Sequence, residues 1–306
     1  SPSPAFRITI PALFFSSDSI HSRNVPDHSI HSSDLMKVNY GGFVDLSTID
    51  WPGRAVCTVF FRGCPLRCSY CHNATIQAGS DLRDINEILD AIRDARMLVS
   101  GVIFSGGEPT MQAEPLVALA GAVKEMGLAV GVQTNGYFPD MLALLIDGGL
   151  VDRIALDYKT RWEGFSKRWE GYAEKCAHDY TTQAARSLKI CDGASQSGRL
   201  PDFEVVLTIF GGNEKEVLEI AGHLPRGTLV LQQGVFKRFW KDWEETGNGD
   251  LSDEEIASQR PPLTVGELEH LAGKINRLGR TIKIRTHEGG ELVYEGHRSR
   301  RAACKW

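Results

Sequence analysis

Apolar residues recur along this chain in two rhythms, and the switches between them predict its elements. In residues 83–98, Ile85, Ile88, Leu89, Ile92 and Ala95 fall three and four apart. That spacing lines one face of a helix. Residues 55–61 (AVCTVFF) form instead a short continuous apolar run, rich in β-branched and aromatic side chains. Such a run marks a buried strand. Further strands are predicted at 101–104, 128–133, 151–156, 203–209, 228–232 and 281–285. Helices are predicted at 113–126, 138–147, 214–223 and 264–278, the second stopping at Gly148-Gly149. In residues 160–200 the rhythm breaks into charged and aromatic residues, then a helical stretch at 180–190. This predicts a helical crossover or insertion. Residues 41–46 read as a short strand or hairpin, and 47–53 as a loop with a Pro-Gly turn.

Repeated strand–helix units imply a parallel sheet with right-handed crossovers. Six units are fewer than a complete eight-fold barrel needs, so the expected fold is α/β, a partial (β/α)6 barrel. A flat doubly wound sheet is the alternative. One domain is expected over residues 36–306, with the insertion at about 160–200 and a C-terminal helix and strand at about 262–290. Residues 1–35, rich in Ser, Pro and His, are expected to be a disordered extension. The apolar patch at 8–15 is broken by Pro11 and followed by no clear small-residue cleavage site, so it is a weak signal-peptide pattern. Met36-Lys37 reads as a natural start.

Composition narrows the function. The chain has 306 residues, 42% of them hydrophobic, and a formal charge of −5. No run of about 18 apolar residues occurs, so no membrane helix is expected. The charge supplies no basic field to recruit nucleic acid. Seven cysteines are present, and Cys64, Cys68 and Cys71 form a C-x3-C-x2-C loop. An odd count with three clustered does not suit a secreted disulfide framework, so a reducing, cytoplasmic setting is expected. Three thiolates in one short loop suit one metal centre. Zinc could take them with His72. An iron–sulfur cube would keep one iron without a protein ligand. Cys57, Cys176, Cys191 and Cys304 are scattered, which supports no second cluster, and Cys57 reads as a buried strand residue.

Polar residues follow successive strands. Gly106, Gly107 and Glu108 follow the run at 101–104, and two glycines there let backbone approach a ligand closely. Thr134, Asn135 and Gly136 follow the next strand, and Asp157 and Lys159 the one after. In parallel α/β folds ligands gather at these carboxyl ends. The plainer readings are turns, a helix cap, an Asp157 pair with Lys159 or Arg153, and a Tyr70 that only packs its loop.

The stretches at 42–53, 60–73, 104–110, 134–136 and 156–159 resemble the radical S-adenosylmethionine (SAM) superfamily. Within it they are similar to glycyl-radical-enzyme activases, closest to activating proteins of anaerobic ribonucleoside-triphosphate reductase and related to pyruvate formate-lyase activating enzyme. The resemblance implies a 4Fe–4S cluster on Cys64, Cys68 and Cys71, whose open iron chelates SAM. It implies Tyr70 near the adenine, Gly106, Gly107 and Glu108 at the methionine end, and Thr134, Asn135 and Asp157 near the ribose or carboxylate. Asn73 and Lys159 lie in the matched stretches and are carried over as cofactor-binding. A low-potential donor such as flavodoxin or ferredoxin would reduce the cluster. The resulting 5′-deoxyadenosyl radical would take hydrogen from a glycine of a partner enzyme, anaerobic ribonucleotide reductase, in an anaerobic host. No nucleic-acid or membrane partner is implied.

The chain departs from some activases at Gln133, where they carry an acidic residue that helps hold a monovalent cation, and in its longer 159–200 segment. Two other readings stay open: a radical SAM enzyme acting on a small molecule, as in modified-nucleoside synthesis, and a zinc-stabilised interaction protein. Phe236, Phe239, Trp240 and Trp243 lie among Lys237, Arg238 and Lys241 and suit either a protein interface or helix packing. A flap at about 247–262 and a solvated basic tail at 298–305 complete the expectations.

Overall fold

The computed structural model describes residues 36–68, 70–159, 173–225, 227–236, 260–276, 280–296 and 299–301. The chain divides into two compact units, Ser1–Asp34 and Leu35–Trp306. All described residues belong to the second. The expectations for residues 1–35, Phe239, Trp240, Trp243, most of the 247–262 flap and residues 298 and 302–305 of the basic tail lie outside the described residues.

Strand β1 (Lys37–Ser47) pairs antiparallel with β2 (Val56–Phe61) and, through its first residues, with the short β3 (Leu82–Asp84). From β2 the sheet runs in parallel through β4 (Gly101–Gly106), β5 (Ala129–Thr134), β6 (Arg153–Asp157), β7 (Asp202–Ile209), β8 (Thr228–Gln233) and β9 (Ile282–Thr286). Two antiparallel strands, β10 (Gly290–Tyr294) and β11 (Ser299–Arg301), close the far edge.

The helices that connect the parallel strands are α1 (Ile85–Ala95), α2 (Ala113–Glu125), α3 (Pro139–Asp147), α4 (Ala173–Gln196), α5 (Glu214–His223) and α6 (Val265–Asn276). The order of the parallel strands from β2 to β9 never reverses, so right-handed crossovers put the described helices between them on one face. A doubly wound sheet needs a reversal. The fold is therefore the partial (β/α)6 barrel, left open because β2 and β9 are not neighbours. The 160–200 segment contains α4, which is simply the crossover from β6 to β7.

Strand alternation builds the two faces. Val102, Phe104, Val130, Val132, Ile154, Leu156, Val205 and Leu207 join the helix faces in one large core. Phe61 meets Phe104 edge-on, centroids 5.9 Å apart. The opposite, inner face carries Val56 and Ile103 against Trp51, and a second patch of Ala155, Val206 and Val230. Gly131 makes room for Trp51, since a Cβ there would lie 2.4 Å from Ile103 and 3.2 Å from the indole.

Beside Trp51, charges fill the floor. Arg153 bonds Asp202 at 2.7 Å and Glu204 at 2.5 Å. Arg285 bonds Glu204 at 2.9 Å and Glu291 at 2.6 Å, and Lys283 reaches both carboxylates at 3.3 Å. Burial disfavours the Glu204 carboxylate, but Arg153, Arg285 and Lys283 outweigh it and hold its pKa below the usual value.

The remaining differences from the sequence reading lie at ends and edges. The 83–98 helix begins only at Ile85, because Leu82–Asp84 pairs with β1 and the Asp84 side chain caps α1 by accepting from Asn86 N at 2.8 Å. The strand expected at 41–46 extends over Lys37–Ser47.

Candidate active site

The carboxyl ends of the parallel strands share one rim. The cysteine loop leaves β2 there, and main-chain bonds lock it to its neighbours. Gly107 N donates to Phe61 O and Glu108 N to Gly63 O, both at 2.8 Å. Gly63 N donates to Ile76 O at 2.8 Å and Cys64 N to Gln77 O at 3.1 Å. Gly106 and Gly107 are needed for this approach. A Cβ on Gly106 would fall 2.3 Å from Phe61 O, and one on Gly107 would fall 2.1 Å from Gly63 O. Gly106 also sits at φ 121°, where a side chain is strained. Their immediate partner is thus the backbone of the cysteine loop. Asn73, at the loop's far end, donates from Nδ2 to Gly106 O at 3.0 Å.

Cys64, Cys68 and Cys71 are all half-buried free thiols. Cys64 and Cys68 pack near Leu66, Tyr180 and Ala184. Burial pushes the Cys64 thiol up to about 12, with the Glu108 carboxylate adding to it, and the Cys68 thiol up to about 11. The Cys64 sulfur receives N–H groups from Leu66 at 3.4 Å and from Asn135 Nδ2 at 3.6 Å. Among the described residues, no three Cys, His, Asp or Glu side chains close on one point as a lone metal ion demands. Three soft sulfur donors in one loop, bare thiolates disfavoured without a cation, and N–H groups aimed at a sulfur all fit an iron–sulfur group.

Glu108 is 1% exposed and turned into the protein. Its Oε1 accepts from Thr110 N at 3.1 Å, from the Thr110 hydroxyl, and from Thr134 Oγ1 at 2.7 Å. Its Oε2 accepts from Asn135 N at 2.7 Å. Burial raises its pKa, and these donors act against the rise. Glu108 therefore clamps the end of β4 to the end of β5. It holds Asn135 where that amide reaches Cys64.

Gln133 uses both ends of its amide. Its Oε1 accepts from Ser105 Oγ at 2.7 Å, and its Nε2 donates to Asp50 O at 3.2 Å. The residue that replaces an acid thus ties the loop carrying Trp51 to the inner face.

Asp157 and Lys159 lie at the end of β6 and pair at 2.9 Å. Burial opposes the Lys159 ammonium, but Asp157, Cys68 and Tyr70 hold its pKa well above the usual value. Tyr70 is buried and packs on Phe210, just past β7, with centroids 4.8 Å apart. Phe210 in turn packs on Phe236, past β8, at 4.3 Å. The cysteine loop so reaches across the mouth of the barrel. Phe236 has an inward packing partner in Phe210.

The structure adds residues that the sequence did not single out. Tyr180 on α4 accepts from Lys159 N and donates to Asn135 O, both at 3.1 Å. Its ring stacks on Tyr137 at 6.1 Å. It joins the ends of β5 and β6. Nothing in its helical context marks it. Tyr137, immediately after Thr134-Asn135-Gly136, was the available hint. Cys57 and Cys191 are buried in the helix-side core, away from the rim.

Comparison with known proteins finds a family and several relatives. The family model described as the radical SAM superfamily matches residues 58–223. The chain is 34% identical over 161 residues to a Methanocaldococcus jannaschii protein provisionally named a glycyl-radical enzyme activating enzyme, covering 51% of this chain and 63% of that one. It is 38% identical over 99 residues to the pyruvate formate-lyase-activating enzyme of Clostridium pasteurianum, covering 30% and 41%. It is 38% identical over 87 residues to the 7-carboxy-7-deazaguanine synthase of Hyperthermus butylicus, covering 27% and 36%. The match spans less than two thirds of the length of each of these relatives.

Proposed function

The chain belongs to the radical SAM superfamily, whose model covers more than half of it, and from this premise we propose that it is a glycyl-radical-enzyme activase acting on anaerobic ribonucleotide reductase. Cys64, Cys68 and Cys71 would hold one 4Fe–4S cluster. Bound there, the cluster and SAM would supply one-electron radical chemistry directed at a glycine of the partner.

The chain's own residues hold and shield. Gly106 and Gly107 fix the cysteine loop to β4. Asn135 aims an N–H at Cys64, and Glu108 holds Asn135. Asp157 and Lys159 offer an ion pair at the rim for the polar groups of SAM, while Thr134 is bonded to Glu108. Tyr70, packed on Phe210, would help shield the loop from water. The observation that carries the reading is the Asn135 amide directed at the Cys64 sulfur from the next strand end but one. A merely structural loop has no need of it. The electron comes from a low-potential carrier such as flavodoxin or ferredoxin. We place the protein in a reducing, oxygen-poor cytoplasm. Among the described residues no helix is long and apolar enough to cross a membrane.

The test is anaerobic reconstitution followed by dithionite and SAM. Formation of 5′-deoxyadenosine is expected, and Cys68→Ala should abolish it. Mixing with anaerobic ribonucleotide reductase should give a glycine-centred EPR doublet. Unaltered cleavage in the Cys68→Ala chain would sink the enzyme reading. Similarity to a 7-carboxy-7-deazaguanine synthase favours a second reading, action on a small molecule. Cleavage stimulated by a small substrate, with no doublet on any glycyl radical enzyme, would select it.

A further inference from the structure

We propose that the cleft outside the cysteine loop, at the β1–β3 edge, docks an acidic electron-transfer protein. The proposal rests on the function above, which draws one electron from outside the chain. The cleft has a volume of about 340 Å3, and Gly63 and Cys64 form one of its walls. Lys37, Arg62 and Arg67 line it, and no carboxylate does. On a chain of formal charge −5, this positive patch is a local feature. The acids near β3 have other partners. Asp81 pairs with Arg83 at 3.2 Å, and Asp84 caps α1.

The chemistry separates a protein face from a small anion. Recognition of a small anion takes N–H donors converging on it. Here several arginine and glutamine donors are already directed at main-chain carbonyls. Arg62 donates from Nε to Tyr40 O and from Nη1 to Thr75 O, both at 3.1 Å. Arg67 Nη1 donates to Leu66 O at 3.0 Å and to Cys64 O. Gln112 Nε2 donates to Asn39 O and Arg62 O. Main-chain carbonyls occupy these donors without neutralising the charge. What the cleft offers is a positive field with exposed apolar side chains in its lining. Leu82 is 61% exposed and Met111 51% exposed. Exposed apolar groups beside positive charge suit a protein interface, and a positive field steers an acidic partner. Redox encounters need only a small interface, below about 1,200 Å2.

Cys64 places this face at the right spot for electron transfer. Its residue forms part of the cleft wall, while its sulfur takes the Asn135 N–H from the rim. One residue thus separates the docking face from the cluster site.

The test uses the full reconstituted chain and a purified flavodoxin, with an acidic 4Fe–4S ferredoxin as second probe. Binding should weaken at least about tenfold between roughly 50 and 300 mM salt, as screened charge–charge attraction does. Lys37→Glu and Leu82→Glu should each weaken it about tenfold and slow cluster reduction by the carrier, followed by visible absorbance. Reduction by dithionite should not change. Wild-type binding and reduction rates in both variants would overturn the proposal. So would the absence of salt-sensitive binding of either carrier. A wild-type chain that binds with salt sensitivity yet forms no 5′-deoxyadenosine with dithionite supports the docking face and overturns the enzyme reading.

Discussion

At the scale of single residues, the site is built by close backbone approach. Gly107 is the tightest point, because a Cβ there would meet Gly63 O at 2.1 Å. The obstacle is main chain, which cannot swing aside as a side chain would. Alanine at 107 must push the cysteine loop off the end of β4. It also strains the bonds from Gly107 N to Phe61 O and from Glu108 N to Gly63 O. The large helix-side core is untouched, so Gly107→Ala should fold, with a loss of about 1–3 kcal/mol from overpacking. Its iron and sulfide content after reconstitution should fall well below the wild type, and 5′-deoxyadenosine formation with it. Full cluster loading in this variant would show that the approach does not hold the loop. The glycine pair is visible in the sequence, but its reason is not. Sequence reasoning gives Gly106, Gly107 and Glu108 to a ligand. In the fold the two glycines face loop backbone, and Glu108 faces three protein donor residues.

At the scale of elements, legibility follows how each element is stabilised. The parallel strands are buried on both faces, so 55–61, 101–104 and 203–209 read as apolar runs within two residues of their true ends. The short strands β3, β10 and β11 escape such reading. Leu82-Arg83-Asp84 and Ser299-Arg300-Arg301 are strands only because β1 and β10 offer them an edge. Tyr180 is missed for a similar reason, since its value depends on where α4 crosses β5 and β6. The loop with Asp50 and Trp51 also changes meaning in the fold. Ser47 Oγ accepts from Ile49 N and Asp50 N, Thr58 Oγ1 donates to the Asp50 carboxylate at 2.8 Å, and Gln133 holds the Asp50 carbonyl. These bonds seat the indole over Gly131 and Ile103 as the floor of the barrel. Trp51→Ala should therefore cost about 3–5 kcal/mol in urea unfolding, the range for emptying a large aromatic site. Per folded molecule, SAM cleavage should persist, because the rim lies at the other end of the strands. A loss below about 1 kcal/mol would mean that the floor does not depend on the indole.

At the scale of the whole molecule, Glu204 joins the two halves of the open sheet. It is fully buried and bonds Arg153 from β6 and Lys283 and Arg285 from β9. Removing one member of such a cluster leaves buried cations under-compensated, which costs about 3–5 kcal/mol. Glu204→Gln keeps the shape and removes the charge, so a loss of that order is expected near pH 7. The pH dependence identifies the group. In the folded chain the Glu204 pKa lies below its ordinary value, because three cations outweigh the burial penalty. In the unfolded chain it returns to about 4.3. Below that value the unfolded state binds the proton more readily, so acid favours unfolding. The stability from this carboxylate is thus fully present above about pH 4.3 and lost as pH falls through the folded pKa. Urea midpoints measured from about pH 7 downward should show a constant gap between wild type and Glu204→Gln until about pH 4.3. Below it the gap should narrow, because protonation makes the wild type resemble the variant. A gap that stays constant throughout the acid limb would place the stabilising charge elsewhere in the network.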